Sequence, residues 1–125
     1  MIILSIEQVK FLHRKLIEST GGADGVRDEG LLDSALSAAF QTFDGLELYP
    51  SIVAKIARVA YSLISNHPFI DGNKRIGTYV MLVLLELNHI NAEFSDNDII
   101  RIGMETAKGT MNDSQILNLI LESSN

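Results

Sequence analysis

Apolar residues recur every three or four positions along most of the chain, and this spacing predicts helices. The first helix begins after Ser5, which forms a capping-box pattern with Gln8, and Thr20-Gly21-Gly22 ends it. Its apolar face consists of Ile6, Val9, Leu12, Leu16 and Ile17. The residues before it, Ile2 to Leu4, predict a short extended segment.

A turn-rich, charged loop from Gly22 to Gly30 precedes the second helix, and Asp28 is its predicted N-cap. Helical spacing places one set of residues on its buried side: Leu31, Leu32, Ala35, Leu36 and Ala39. The next segment, Gln41 to Pro50, predicts a loop in which Phe43 and Tyr49 are exposed.

Two helices of different apolar pattern follow. Ser51 caps the third helix, whose apolar stripe is Ile52, Val53, Ile56, Val59, Ala60 and Leu63. Its polar residues Lys55, Arg58, Ser62 and Ser65 are predicted to face away from the core. The fourth helix, from Gly72 to Asn88, is apolar on nearly every side, which predicts a buried central helix.

The chain ends in two further helices. Ser95 with Asp98 caps one that ends at Gly109, and the last follows Asn112-Asp113. Its predicted buried side is Ile116, Leu117, Ile120 and Leu121. Since no strand-period alternation, repeat or linker occurs, the sequence predicts one all-α domain over residues 1–125. We expect a compact bundle of about six helices around a central buried helix.

Composition narrows the function classes. The 125 residues are 46% hydrophobic, enough for a core, and the net charge of −6 argues against direct nucleic-acid binding. Without cysteine, the chain has no disulfide, thiolate nucleophile or cysteine-ligated zinc. No signal-peptide pattern begins it, and the longest apolar run, Tyr79 to Leu85, is too short for a bilayer. We expect a cytoplasmic protein without membrane contact.

The densest group of reactive side chains lies between the third and fourth helices, from Asn66 to Arg75. Pro68 biases His67 toward an extended backbone and so ends the third helix. A neutral His67 can accept a proton at cytoplasmic pH, but a histidine here can also be a simple helix cap. Phe69 is expected to anchor the turn, and the other histidines, His13 and His89, are expected to be structural.

The rest of this turn predicts a phosphate site. Asp71 is either a helix N-cap or a ligand of Mg²⁺, which takes one or two carboxylates plus phosphate oxygens. Gly72 and Asn73 lie where the N–H groups of a helix N-terminus converge. Lys74 and Arg75 follow in the first turn, where cations oppose the helix dipole. A bound anion would remove that conflict.

The segment His67-Pro68-Phe69-Ile70-Asp71-Gly72-Asn73-Lys74-Arg75 resembles the HPFx[DE]GN[GK]R signature of the Fic/Doc superfamily. The lysine, with GVRDEGLLDSAL upstream and ELYP before the third helix, is similar to the death-on-curing (Doc) branch. Members of that branch are toxins of toxin–antitoxin pairs. The likeness extends from about Gly25 to Asn88.

This resemblance implies a role for each matching residue. His67 would be the general base that takes a proton from a hydroxyl of the target protein. Asp71 would hold Mg²⁺ on the phosphates of ATP. The remaining four, Gly72, Asn73, Lys74 and Arg75, would bind those phosphates.

Two departures from the AMP-transferring Fic enzymes bear on the reaction. Lys74 stands where those enzymes usually have glycine, and Thr78 stands where they have a second phosphate-binding arginine. Doc-type toxins share this arrangement, and they transfer the γ-phosphate of ATP to a threonine of translation elongation factor Tu. The resemblance therefore implies a kinase-like phosphotransferase that arrests translation.

Control is expected to come from a separate antitoxin, because the family's inhibitory motif [ST]-x-x-x-E-[GN] is absent. Its disordered C-terminal segment would fold on a groove of the toxin. Two alternatives stay open at this point. One is AMP transfer to a protein hydroxyl, and the other is a catalytically silent module that binds an antitoxin.

Overall fold

The computed structural model describes residues 1–124 as six α-helices, a short 3₁₀ turn and a two-stranded hairpin. The helices are α1 (Ile6–Thr20), α2 (Glu29–Ser37), α3 (Ile52–Asn66), α4 (Asn73–Leu87), α5 (Asp96–Lys108) and α6 (Asp113–Ser123). The predicted all-α bundle of about six helices is confirmed. None of the described helices combines the length and apolarity needed to cross a bilayer.

The predicted helix caps are confirmed. Ser5 accepts a hydrogen bond from the Gln8 N–H, and the Gln8 side chain bonds back to Ser5. Asp28, Ser51 and Ser95 cap α2, α3 and α5 in the same way through their side-chain oxygens. These bonds satisfy N–H groups that a helix start leaves free, so the boundaries follow from local sequence.

The loop predicted from Gln41 to Pro50 contains a hairpin that was not predicted from the sequence. Strand β1 (Thr42–Phe43) pairs antiparallel with β2 (Leu46–Glu47) through a turn at Asp44 and Gly45. Both turn residues have positive φ, 53° and 79°, as a tight Asp-Gly turn requires. Phe43 is exposed as predicted, but Tyr49 is half-buried.

The polar face predicted for α3 is partly wrong. Lys55 is only 6% exposed, because its Nζ donates to Glu47 Oε1 at 2.9 Å and to the carbonyl oxygen of Tyr49. Ser62 is also buried, whereas Ile52 of the apolar stripe is exposed. The hairpin therefore covers a side of α3 that the periodicity alone assigned to solvent.

The centre of the bundle is shared by two helices. α3 packs against α2, α4, α5, α6 and the 3₁₀ turn (Ala38–Phe40), and α4 packs mainly against α1, α3 and α5. α4 is largely buried as expected, but Tyr79 on its outer side is 39% exposed. In α6, Leu121 is exposed, contrary to its predicted burial. Tyr79 and Leu121 are exposed because no neighbouring element of the described chain covers them.

α3 and α4 approach each other closely at Gly77. A Cβ atom at this position would lie 2.4 Å from Ile64 Cγ1 and 3.3 Å from the carbonyl oxygen of Ala60. Gly103, on α5, is also helical and buried, but its Cβ would meet Lys74 Cβ at an ordinary 3.4 Å. The two glycines thus differ in the room available for a side chain, although both have helical backbone.

We expect Gly77→Ala to lower the free energy of unfolding by about 1–2 kcal/mol, because overpacking outweighs the helix propensity gained. Gly103→Ala is the matched control and should leave stability unchanged or raise it by up to ~1 kcal/mol. Urea unfolding followed by circular dichroism measures both. Equal effects of the two substitutions would contradict close packing at Gly77.

Candidate active site

The motif loop runs from His67 to Gly72 and joins the end of α3 to the start of α4. Its anchor is Phe69, which is 1% exposed, as expected. Both polar atoms of the Asn73 side chain bond to the Phe69 backbone, one accepting from its N–H and one donating to its carbonyl, each at 3.0 Å. Asn73 therefore closes the loop on itself, so its backbone N–H, and not its side chain, is left for a ligand.

His67 is the C-cap of α3, but its backbone is not extended as predicted. It adopts the left-handed conformation, with φ 50° and ψ 54°. Arg27 stabilises this turn, since its Nε donates to the His67 carbonyl at 2.7 Å and its Nη2 to the Asn66 carbonyl at 3.0 Å. The local bias of a residue before proline is thus overridden by capping of the helix end.

The orientation of the His67 side chain determines which ring nitrogen can accept a proton. Nδ1 lies 2.6 Å from the carbonyl oxygen of Ile64. A carbonyl only accepts, so Nδ1 donates its proton, and in neutral imidazole the lone pair is then on Nε2. Because the residue is exposed, this Nε2 is accessible to a ligand. The helix-cap and general-base interpretations are therefore compatible in this structure.

Asp71 is not the N-cap of α4, since Gly72 occupies that position with φ 77°. Its Oδ2 accepts from the Ala23 N–H at 3.2 Å and its Oδ1 from the Gly72 N–H at 2.8 Å. These hydrogen bonds, with a smaller contribution from the Arg75 charge, hold the pKa of Asp71 below the usual value. The carboxylate is exposed and ionised at neutral pH.

The structure fits a metal held by one protein carboxylate. Among residues 1–124 no three histidine or acidic side chains converge on a common point. Mg²⁺ requires no such cluster when it binds phosphate oxygens and water in addition to one carboxylate. Asp71 can supply that single ligand, with lone pairs not used by Ala23 or Gly72.

The two cations at the start of α4 differ in their contacts. Arg75 points back to the end of α1, where Nη1 donates to the Gly21 carbonyl at 2.8 Å and to the Thr20 hydroxyl. Its charge therefore lies at a helix C-terminus, which removes the conflict expected with the dipole of α4. Lys74 is exposed and forms no ion pair with any described residue. Lys74 is thus the cation whose conflict with the dipole a bound anion would remove.

The first turn of α4 also presents free backbone donors. Its first backbone bond joins the Ile76 N–H to the Gly72 carbonyl at 2.8 Å, and Gly72 provides no side-chain cap. Within the described chain, the N–H groups of Asn73, Lys74 and Arg75 have no acceptor. A pocket of about 210 Å³ lies beside Lys74, lined by Thr78 and by Ile99, Ile100, Gly103 and Met104 of α5. Its mostly apolar lining contains neither Gly72 nor Asn73, so the capacity of the helix start to bind an anion rests on the free N–H groups and on Lys74.

The support that a neighbouring segment gives this loop was not predicted from the sequence. Residues 25–28 run beside the motif: Ile70 N–H bonds to the Gly25 carbonyl, and the N–H groups of Arg27 and Asp28 bond to the Pro68 carbonyl. Gly22 lies so close that a Cβ there would be 2.5 Å from Asp71 Oδ2. The clue to this support in the sequence was the group of glycines around Arg27, upstream of the motif. Hydrophobic periodicity gives no information about the contacts of such a loop.

A family model matches the part of the chain that contains this loop. The model of the Fic/DOC family matches residues 3–85, about two thirds of the chain. The chain belongs to the Fic/DOC family. It is also similar to a protein named Toxin Doc from Mycolicibacterium smegmatis, with 39% identity over 70 residues. That match covers 56% of this chain and 54% of the relative, so the chain spans about half of the relative's length.

The contact between Gly22 and Asp71 can be tested without an activity assay. In Gly22→Ala the new methyl group displaces the Asp71 carboxylate from the Ala23 N–H, so the pKa of Asp71 should rise toward its usual value. Carboxyl ¹³C NMR titration measures this pKa. Gly21→Ala is the matched control, since Gly21 also has positive φ but open space around it. An unchanged Asp71 titration in Gly22→Ala would show that the carboxylate is not held there.

Proposed function

We propose that this protein is a Doc-like toxin that transfers the γ-phosphate of ATP to a hydroxyl group of a target protein, with Mg²⁺. Membership of the Fic/DOC family supports the toxin class, as does the likeness to Toxin Doc. The single observation that most supports catalysis is the orientation of His67, whose Nδ1 bond to Ile64 leaves Nε2 available as a base.

In the proposed reaction the hydroxyl oxygen of the acceptor attacks the γ-phosphorus of ATP. Its proton passes to Nε2 of His67, the new P–O bond forms to the acceptor, and the bond to the β-phosphate oxygen breaks to release ADP. The exposed position of His67 suits a base that must reach a hydroxyl on another protein. Proton abstraction of this kind typically contributes about 10²–10⁴-fold to the rate.

The start of α4 would bind the phosphates. The N–H groups of Asn73 and Lys74 and the Lys74 ammonium group offer donors and positive charge, and Gly72 lets the backbone come close to the ligand. Arg75 would add charge nearby while keeping its contacts to α1. Mg²⁺ held by Asp71 would neutralise phosphate charge. Such positioning and charge stabilisation is what phosphoryl transfer chiefly needs.

We favour phosphate transfer over AMP transfer because of Lys74 and Thr78. Thr78 is 6% exposed and its hydroxyl donates to the carbonyls of Lys74 and Arg75, both at 3.1 Å. It therefore offers no substitute for the second arginine of AMP-transferring relatives. Lys74 supplies the charge at the helix start instead.

The resemblance supplies the biological setting of this proposal. The acceptor would be a translation factor, with elongation factor Tu as the first candidate, and its modification would arrest translation in the cytoplasm. A separate antitoxin protein would hold the toxin inactive. The similarity to Toxin Doc supports the pairing with an antitoxin.

Incubation with elongation factor Tu and ATP labelled at the γ-phosphate tests the proposal. We expect labelled factor with the wild type, and His67→Ala should lower the rate by roughly 10²–10⁴-fold because the base is lost. His89→Ala is a matched control, since His89 is likewise exposed, follows a helix and has positive φ, 58°. It should retain full activity.

A parallel reaction with ATP labelled at the α-phosphate separates the alternatives. Label retained on the factor from this ATP would mean AMP transfer and would overturn the kinase proposal. Growth arrest that persists in His67→Ala, with no labelled protein, would indicate a binding module instead of an enzyme.

A further inference from the structure

His13 is a fully buried histidine beneath the motif loop, on α1. Its ring stacks on Phe69 with 3.9 Å between the ring centroids and 9° between the planes. Its Nε2 lies 2.7 Å from the carbonyl oxygen of Asp71. Since a carbonyl only accepts, Nε2 donates the proton in this bond. The packing role expected from the sequence is thus accompanied by a polar contact with the loop.

The other ring nitrogen is poorly satisfied. Nδ1 is buried without a hydrogen-bond partner and faces Asp24 Oδ1 at 3.4 Å. Asp24 is half-exposed and also lies 3.5 Å from Arg14 Nε. A buried polar atom without a partner destabilises a fold, so packing alone would favour an apolar side chain at this position. The bond from Nε2 to Asp71 is the contact that an apolar residue could not replace.

That bond fixes one peptide group at both ends. The carbonyl of Asp71 and the N–H of Gly72 belong to the same planar unit. His13 holds the carbonyl, and Asp71 Oδ1 accepts from the N–H at 2.8 Å. Gly72 lies next to the ring, since a Cβ there would be in ordinary contact with His13 Nε2 at 3.6 Å. The direction of the Asp71 carboxylate is therefore tied to the position of the imidazole.

We propose that His13 is a positioning residue that orients the Asp71–Gly72 peptide, and with it the carboxylate and the first N–H groups of α4. The inference rests on the proposed function for its effect on catalysis. The effect on loop geometry is independent of that function. His13 itself does not touch the substrate.

Two substitutions separate the hydrogen bond from the packing. His13→Phe keeps a ring that can stack on Phe69 but has no donor. His13→Gln loses the ring but keeps an N–H donor able to reach the Asp71 carbonyl. In the γ-phosphate assay, we expect His13→Phe to lower kcat by about tenfold to a hundredfold with little change in the KM for the acceptor protein. His13→Gln should recover most of kcat.

Amide hydrogen exchange tests the geometry without an activity assay. We expect the Gly72 N–H to exchange about tenfold faster in His13→Phe than in the wild type, and His13→Gln to restore its protection. Equal kcat and equal Gly72 protection in the two variants would overturn the proposal. If the wild type transfers no phosphate, the proposed function fails and the exchange result alone decides the role of His13.

A measurement on the unmodified protein covers the case in which a variant does not fold. NMR scalar coupling between His13 Nε2 and the carbonyl carbon of Asp71 reports this hydrogen bond directly. Detectable coupling, with the proton on Nε2, is the expected result. A proton found on Nδ1 alone, with no coupling to Asp71, would overturn the assignment.

Discussion

The close contact between α3 and α4 is the constraint on which the rest of the molecule depends. Gly77 lets α4 lie against Ile64 and Ala60 of α3, so the end of one helix and the start of the next are fixed relative to each other. Only six residues, His67 to Gly72, join them. A loop this short between two packed helices has little freedom, and its side chains are presented in one arrangement.

Helix α1 and the residues that follow it are the second support of the loop, and each of their contacts involves a backbone group. Arg75 donates to the Gly21 carbonyl, His13 donates to the Asp71 carbonyl, and the Ala23 N–H donates to the Asp71 carboxylate. Because of these contacts, only some of the groups that the sequence suggested for ligand binding are free in the fold. Asn73 and Arg75 have structural contacts, whereas Lys74 and the Nε2 of His67 remain available.

The conflict between a cation and the dipole of α4 therefore persists for only one of the two residues. For Arg75 the conflict is removed within the protein, because its long side chain reaches the C-terminal end of α1. For Lys74 no described residue removes it. Whether a cation opposes the dipole depends on the direction of its side chain, which a sequence does not contain.

The sequence by itself determined the helices and their caps, because these depend on neighbours within about four positions. Ser5, Asp28, Ser51 and Ser95 cap as their local patterns require. Only the tertiary structure decided which polar groups are buried and which are free. The left-handed turn at His67, the burial of Lys55 and the contact of His13 with Asp71 all depend on partners that the chain brings from elsewhere. Such partners lie up to 58 positions away, beyond the reach of periodicity and local propensity.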